Sequence, residues 1–361
     1  MTGLSAPPTR PTGLQLSAPR SPLLDRFPQL DLPWIPLGDW PTPVALLARL
    51  SQELGSEIWV KQDDCSALRY GGNKVRKLEH LLAEAVSGEK QSIVTVGGIG
   101  SNHVVATALH AQQLGLPTRA VVVPQPVTAQ VRRNLALARS LGVELTPCPV
   151  RPLVPLYLSR LLRREDRPHL IGPGGSSAMG VLGYVSAGIE LKQQIDAGLL
   201  PEPEEIYVAL GSGGSMAGLA LGCALAGLTC RVVGVRVVER LLVNATLVRA
   251  LMRGARRLLG GVKLARPGIR VVHGYLGRCY GAVTPAATEA VEVARQLEGL
   301  RLETTYTGKA FAALLDACRA RAGQRLLFWN TFNSRDTSAL LRADLPPLPE
   351  RIERWLGASV K

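Results

Sequence analysis

Lys74 stands behind a Gly71-Gly72-Asn73 corner and opens the helix-like stretch Val75 to Ala85, in the run Gly71-Gly72-Asn73-Lys74-Val75-Arg76-Lys77-Leu78-Glu79. A lysine held out of bulk water in a fixed direction can condense with an aldehyde, and a glycine corner lets another group approach its backbone closely. Taken alone, Lys74 also fits a solvated lysine at a basic helix start. A second segment adds the chemistry of an anion cradle. Leu210-Gly211-Ser212-Gly213-Gly214-Ser215-Met216-Ala217-Gly218 follows the apolar run Ile206–Leu210 and precedes an Ala/Leu-rich helix. Its glycines allow a tight wrap of backbone N–H groups, Ser212 and Ser215 offer hydroxyls, and the following helix turns its positive end toward the loop. The loop has neither the Gly-Lys-Ser/Thr of a Walker motif nor the acidic residue of a dinucleotide fingerprint. A plain strand-to-helix turn would read the same way.

Val96-Gly97-Gly98-Ile99-Gly100-Ser101-Asn102-His103 repeats this strand, turn and helix character, with Ser101 and Asn102 at the helix start. Capping accounts for both residues; a carboxylate held by the first N–H groups is the functional alternative. Tyr280 and Tyr306 precede glycine-containing loops and could serve as acid or base, or simply pack. His103 and His273 belong to no triad or metal spacing and read as structural.

These segments need a scaffold that brings loops together. After Pro41-Thr42-Pro43 the chain alternates β-branched runs with helical patterns, the sign of βαβ units around parallel sheets. Ile93–Val96, Arg119–Val123, Val143–Leu145 and Leu170–Ile171 read as one set of strands, separated by helices near 102–115, 127–140 and 152–163. Ile206–Leu210, Arg231–Val237, Val271–His273 and Leu326–Trp329 read as a second set, with helices near 177–197, 215–226, 284–298 and 308–321. Parallel sheets bind ligands at the carboxyl ends of their strands, which is where every glycine-rich segment falls. Residues 1–30, with six prolines among Ser, Thr and Arg, read as a mobile arm.

The composition, 46% hydrophobic and 19% charged over 361 residues, is that of a globular protein with room for two domains. No run approaches the length of a membrane span, and no secretory leader is evident, so a cytoplasmic protein with no membrane contact is expected. The six cysteines form no C-x-x-C pair, which argues against zinc and a disulfide framework. The net charge of +14 is dispersed, and the densest basic stretch, Arg249 to Arg270, lacks interleaved aromatics. A solvated helix face is expected there, with no nucleic acid partner.

In order and separation over about residues 38 to 340, the segments resemble the 1-aminocyclopropane-1-carboxylate deaminase/D-cysteine desulfhydrase family of pyridoxal-phosphate enzymes. The match includes Pro41-Thr42-Pro43, Val60-Lys61-Gln62-Asp63-Asp64, Gly71 to Glu79, Gly97 to His103, Gly174-Gly175-Ser176, Gly183-Tyr184-Val185, Gly211 to Ser215 and Tyr306-Thr307-Gly308-Lys309. The resemblance implies a tryptophan-synthase-β-like, fold type II α/β architecture of two domains, each with a mostly parallel twisted sheet flanked by helices. A small domain at 71–170 would sit between two parts, 31–70 and 171–361, of a large cofactor-binding domain. It implies that Lys74 joins pyridoxal 5'-phosphate covalently, that Lys77 and Gly211, Ser212, Gly213, Gly214 and Ser215 hold the phosphate, that Asn102 meets the ring hydroxyl, and that Thr331 faces the pyridine nitrogen. Ser101, Asn102, His103, Tyr280 and Tyr306 would lie beside a small amino-acid substrate, with Ser101, Tyr280 and Tyr306 candidates for catalysis, in a homodimer.

Departures from the family pattern refine the expectation. Thr307 stands where deaminases carry an acid facing the pyridine nitrogen, which favours D-cysteine-desulfhydrase-like α,β-elimination to a 2-oxo acid, ammonia and sulfide. Ring opening, β-replacement, racemisation, and a catalytically weak cofactor-binding protein are the alternatives. Gly100 for a glutamine is expected to open space, Val104-Val105-Ala106 replaces a more polar helix start, and Phe332 and Asn333 are expected to remodel the floor near the ring.

Overall fold

A computed structural model describes residues 21–164 and 166–358. In chain order the helices are α1 (Pro22–Arg26), α2 (Ala48–Leu54), α3 (Lys74–Ser87), α4 (Asn102–Gln112), α5 (Ala129–Ser140), α6 (Val154–Leu162), α7 (Ala178–Asp196), α8 (Gly214–Leu225), α9 (Ala245–Leu258), α10 (Pro285–Glu298), α11 (Thr307–Ala320) and α12 (Glu350–Ala358). The strands are β1 (Val44–Leu46), β2 (Glu57–Lys61), β3 (Ser92–Gly98), β4 (Thr118–Val123), β5 (Glu144–Pro147), β6 (Pro168–Ile171), β7 (Glu205–Leu210), β8 (Arg231–Arg236), β9 (Ile269–Val272) and β10 (Arg325–Trp329). None of the described helices is long and apolar enough to cross a membrane.

Two sheets result, as the alternation of patterns predicts. The larger runs β1-β2-β10-β7-β8-β9, with only β1 antiparallel; the smaller runs β5-β4-β3-β6 and is wholly parallel. Strands buried on both faces read as continuous apolar runs. In β7, Ile206, Val208 and Leu210 face the core shared with α7, α8 and α9, while Tyr207 faces the one shared with α10 and α11. In the smaller sheet, Ile93, Ala120 and Val122 pack toward α3, α4 and α5, and Val94, Val96, Val121 and Val123 toward α6.

Strand order decides which loops meet. Because β2, β10 and β7 are parallel neighbours, the segments leaving their carboxyl ends, which carry Lys74, Thr331 and Gly211–Ser215, lie side by side. Because β3 and β6 are parallel neighbours, Gly97–Ser101 and Gly172–Ser176 do the same.

Two expectations need correction. The first twenty residues of the expected arm lie outside the described residues, but Leu23 is fully buried in the α7–α8 core and Ser21 Oγ bonds Ser186 Oγ at 3.2 Å. An apolar turn with Pro22 at its first position is enough to anchor this stretch. The C-terminal segment does not pack as part of the larger unit. Leu340, Leu348, Ile352, Trp355 and Leu356 join the core of the smaller sheet, and Arg133 Nη2 donates to Asp336 Oδ1 at 3.3 Å. Val131, Leu135 and Ala138 of α5 belong to the same apolar cluster as these five side chains, which is what draws the segment to the smaller sheet.

Helix α3 is joined to the larger sheet by a buried lattice of charges. Arg76 Nη2 and Nε donate to Asp63 at 2.8 to 3.1 Å, and Nη1 and Nη2 donate to Glu190 of α7 at 2.8 and 2.9 Å. Lys61, at the end of β2, donates to Glu190 Oε1 at 2.5 Å and Gln194 Oε1 at 2.6 Å. Tyr184 and Trp329 each donate to Asp63 Oδ2 at 2.7 Å. All four charged residues are buried, two of each sign. Burial opposes ionisation of Glu190, but Arg76 and Lys61 outweigh it and hold the carboxyl at about 2. Replacing Glu190 by Gln leaves two buried cations facing the single carboxylate of Asp63, and urea unfolding at pH 7 is expected to show a loss of about 3–5 kcal/mol. Since the folded carboxyl is held below its ordinary value, its stabilisation is present above about pH 4.5 and fades as pH falls toward 2. The gap between wild type and Glu190→Gln should therefore narrow over that window; a gap independent of pH would refute the ionised pairing.

Candidate active site

A cavity of about 490 Å³ opens between the two sheets at the carboxyl ends of their strands, and Lys74 lines it. Lys74 Nζ donates to Asn73 Oδ1 at 2.6 Å, and Asn73 Nδ2 donates to Ser215 Oγ at 3.1 Å, which ties the amine to the glycine loop. Burial lowers the Lys74 amine to about 8, against a smaller opposing pull from Glu303. The amine is therefore partly neutral near physiological pH, as nucleophilic attack on a carbonyl requires.

The cradle is built from two loops and one helix. Lys77, one turn along α3 from Lys74, is buried and donates to Gly174 O at 3.1 Å and Ser176 Oγ at 3.2 Å. Ser176 Oγ bonds Ser212 Oγ at 2.7 Å and accepts from Gly214 N at 3.1 Å. A Cβ at Gly214 would lie 2.4 Å from Ser176 Oγ and 2.8 Å from Lys77 Nζ, so glycine is required where the loop meets these donors. Gly213 adopts φ +87° immediately before α8, the left-handed turn that points the first N–H groups of the helix into the loop. Burial, and then the nearby Lys74 charge, push the Lys77 amine well below its ordinary value; a bound dianion would reverse that shift. The donor set suits a phosphate.

At the end of β3, Ser101 caps α4, its Oγ accepting from Val104 N at 3.4 Å. Asn102 Oδ1 accepts from Asn134 Nδ2 at 2.7 Å and Tyr70 OH at 3.3 Å, leaving its own amide group as a donor at the cavity. Across the cavity, Tyr280 and Tyr306 share a 2.5 Å hydrogen bond between hydroxyls, their rings edge to face. Burial, reinforced by its partner, holds the Tyr306 hydroxyl well above its ordinary value. Thr331 lines the same space, and its carbonyl accepts from Asn73 N at 3.2 Å.

Of the residues singled out from sequence, Lys74, Ser101, Asn102, His103, Gly211, Ser212, Gly213, Ser215, Tyr280, Tyr306 and Thr331 line the cavity, and Lys77 and Gly214 stand behind its loops. His103 is engaged elsewhere: Nε2 meets Thr95 Oγ1 at 3.0 Å and Gly172 O at 3.1 Å, and Nδ1 meets Thr107 Oγ1 at 3.4 Å. Burial, with the lysines nearby, holds it neutral with a value of about 3. Both ring nitrogens are engaged with β3, α4 and the Gly172 turn, at the edge of the cavity that His103 lines. His273 is exposed, outside the cavity, and accepts from Arg236. Gly100 opens no space: a Cβ there would meet Val131 Cα at 2.5 Å, because α5 packs directly on it. Phe332 and Asn333 do line the cavity, and Asn333 Oδ1 accepts from Gly71 N at 2.7 Å, bracing the corner before Lys74.

Sequence reasoning overlooked four contributors. Ser176 was visible only as the end of a Gly-Gly-Ser turn, and Asn134 carries no motif on its helix. Arg151 sits with its guanidinium 5.4 Å from the Tyr280 ring centroid. Glu303 lines the cavity, yet its carboxylate accepts from Thr305 N and Tyr306 N at 2.7 Å and Thr307 N at 3.0 Å. An acid shortly before a helix start was the signal for that role.

Comparison with known proteins agrees with this geometry. A family model described as pyridoxal-phosphate dependent enzyme matches residues 35–331. A Pyrococcus horikoshii protein with the provisional name 1-aminocyclopropane-1-carboxylate deaminase is 35% identical over 316 residues, 86% of this chain and 93% of its own length. D-cysteine desulfhydrase of Klebsiella pneumoniae is 36% identical over 302 residues, 81% of this chain and 89% of its own. The crystal structure of a homologue of 1-aminocyclopropane-1-carboxylate deaminase superposes with a TM-score of 0.75 at 33% identity, covering 87% of this chain and 94% of that one.

The lowered amine is directly measurable. Reductive trapping of an aromatic aldehyde, read by peptide mass spectrometry, should increase about tenfold at Lys74 between pH 7 and 9 and then level off, as a midpoint near 8 requires. Labelling that keeps climbing beyond pH 10 would show a solvated amine instead.

Proposed function

This chain belongs to the pyridoxal-phosphate-dependent enzymes, and we propose that within them it is an α,β-eliminating lyase for small D-amino acids carrying a good β-leaving group, with D-cysteine the reference substrate. The observation that supports elimination is the lack of a free acid. Glu303 is the sole carboxylate lining the cavity among the described residues, and three backbone N–H groups occupy it. The Thr307 hydroxyl is itself engaged, accepting from Glu303 N at 3.0 Å. A pyridine nitrogen in this cavity has no carboxylate to protonate it. The cofactor, when bound, delocalises the electron pair left as a proton departs from the substrate's α-carbon; without that protonation it does so less strongly. Expelling a thiolate demands less of it than opening an unactivated carbon ring.

The chain's own groups cover the remaining work. Lys77, Ser176, Ser212, Ser215 and the first N–H groups of α8 hold the phosphate, and Lys74 is the amine that holds the aldehyde carbon. Lys74 would also be the base for the α-proton, since it is the amine that lines the cavity. Ser101 and the first N–H groups of α4 receive the substrate carboxylate at the positive end of that helix. The Tyr280–Tyr306 pair keeps its protons because burial raises both hydroxyls, so it acts as donor to the departing sulfur. Deamination of 1-aminocyclopropane-1-carboxylate is the second reading, favoured by the names of the Pyrococcus relative and of the superposed crystal structure.

Steady-state assays of pyruvate release should give a higher kcat/KM for D-cysteine than for 1-aminocyclopropane-1-carboxylate, with sulfide and ammonia in equal yield. A preference for the cyclopropane would overturn the elimination reading. Tyr306→Phe should keep the absorbance of bound cofactor yet lower kcat by about 10²–10⁴. An unchanged kcat would remove Tyr306 from proton transfer.

A further inference from the structure

The cavity extends past the reacting groups, and there its wall becomes apolar. Val123 from the end of β4, Val154 from the start of α6, and Val238 and Leu242 from the segment after β8 line it together. Their position relative to the proton donors is set by hydrogen bonds. Tyr280 N donates to Glu239 Oε1 at 3.3 Å, and Arg151 Nη1 donates to Glu239 Oε2 at 2.9 Å while the guanidinium lies over the Tyr280 ring. Both the segment that carries Val238 and Leu242 and the turn that leads into Val154 therefore stand on the Tyr280 side, where the leaving group departs. Arg151 and Glu239 neutralise one another, so the wall presents no net charge. Leu242 is 51% exposed although it lines the cavity. Apolar surface converging from three separate elements, one of its side chains still open to water, is stabilised by an apolar group that covers it. A bare thiol gives it little to bury.

We propose that this wall receives an uncharged apolar substituent on the substrate's β-sulfur, so that S-alkyl and S-aryl D-cysteines are the preferred substrates. The inference rests on the elimination reading above and adds the substrate class to it. The step balances without an oxidant or reductant. The α-proton goes to Lys74, the Cβ–S bond breaks with its electron pair on sulfur, and the sulfur takes a proton from the tyrosine pair. One water then converts the released three-carbon enamine to pyruvate and ammonia, so that substrate and water yield thiol, pyruvate and ammonium.

The test uses the holoenzyme with D-cysteine and its S-methyl, S-ethyl, S-propyl, S-butyl, S-benzyl and S-carboxymethyl derivatives, following pyruvate and free thiol. From S-methyl to S-butyl, kcat/KM should rise about threefold or more per methylene, the gain expected for burying each one. S-benzyl should exceed S-methyl, and S-carboxymethyl should fall below S-ethyl. Leu242→Ser should flatten the series. Turnover of D-cysteine with a flat or falling series, or a slope that Leu242→Ser leaves intact, would overturn this assignment while leaving elimination in place. No pyruvate from any member would overturn the elimination reading and this inference together.

Discussion

The site depends on a neutral lattice of buried charges beneath it. Lys74 and Lys77 lie on α3, whose other side inserts Arg76 between Asp63 and Glu190, with Lys61 closing the set. A lone buried charge would be prohibitively unfavourable, but two cations and two carboxylates, each hydrogen-bonded more than once, satisfy one another. Replacing the set with hydrophobic side chains could be as stable. It would lose direction, because the fork of Arg76 ties α3 to β2 and α7 at once, and Glu79 one turn on holds the same helix to Trp34 and Trp40. That rotation puts Lys74 at the cavity and Lys77 behind the glycine loop.

From this anchor the electrostatics of the cavity follow. The lattice is internally neutral and adds little field to the site, so burial dominates the two lysines of α3. Lys74 is lowered only to about 8 and stays available as nucleophile and base. Lys77 is lowered further, and a phosphate restores its charge. The helix ends add two positive poles: α8 faces the glycine loop and α4 faces the carboxylate site. One cavity thus offers two separate helix ends suited to anions, the two that the proposed function uses, with the Lys74 amine lining it and the Tyr280–Tyr306 pair opposite.

Much of this was legible in the chain. All four strands of the smaller sheet, and β7 to β10 of the larger one, lie within a few residues of their predicted positions, because buried parallel strands leave apolar runs between amphipathic helices; β1 and β2, short and carrying Trp59 and Lys61 among their apolar residues, were not read as strands. Lys74, Ser101, Tyr306 and the Gly211–Ser215 loop were visible for a related reason: glycine and serine at strand ends report backbone shape. Residues whose role depends on a distant neighbour were not. Asn134 reveals nothing until α5 is seen to pack on Gly100 and Asn102. Gly100 itself was misread as empty space, since a missing side chain does not say what fills the gap. The C-terminal tail hides its attachment to the smaller sheet because its apolar residues are thinly spaced among prolines and arginines.

The absence of an acid at position 307 carries more than a change of one side chain. Glu303 spends both carboxylate oxygens on the N–H groups of Thr305, Tyr306 and Thr307, so it fixes the turn that aims Tyr306 at Tyr280. Moving that carboxylate to the pyridine nitrogen would release those amides and loosen the tyrosine pair. In this chain a weaker electron sink and a firmly held proton donor therefore come as one arrangement. Under the elimination proposed above, a thiolate that departs readily tolerates the weaker electron sink, and the tyrosine pair stands ready to protonate it as it leaves.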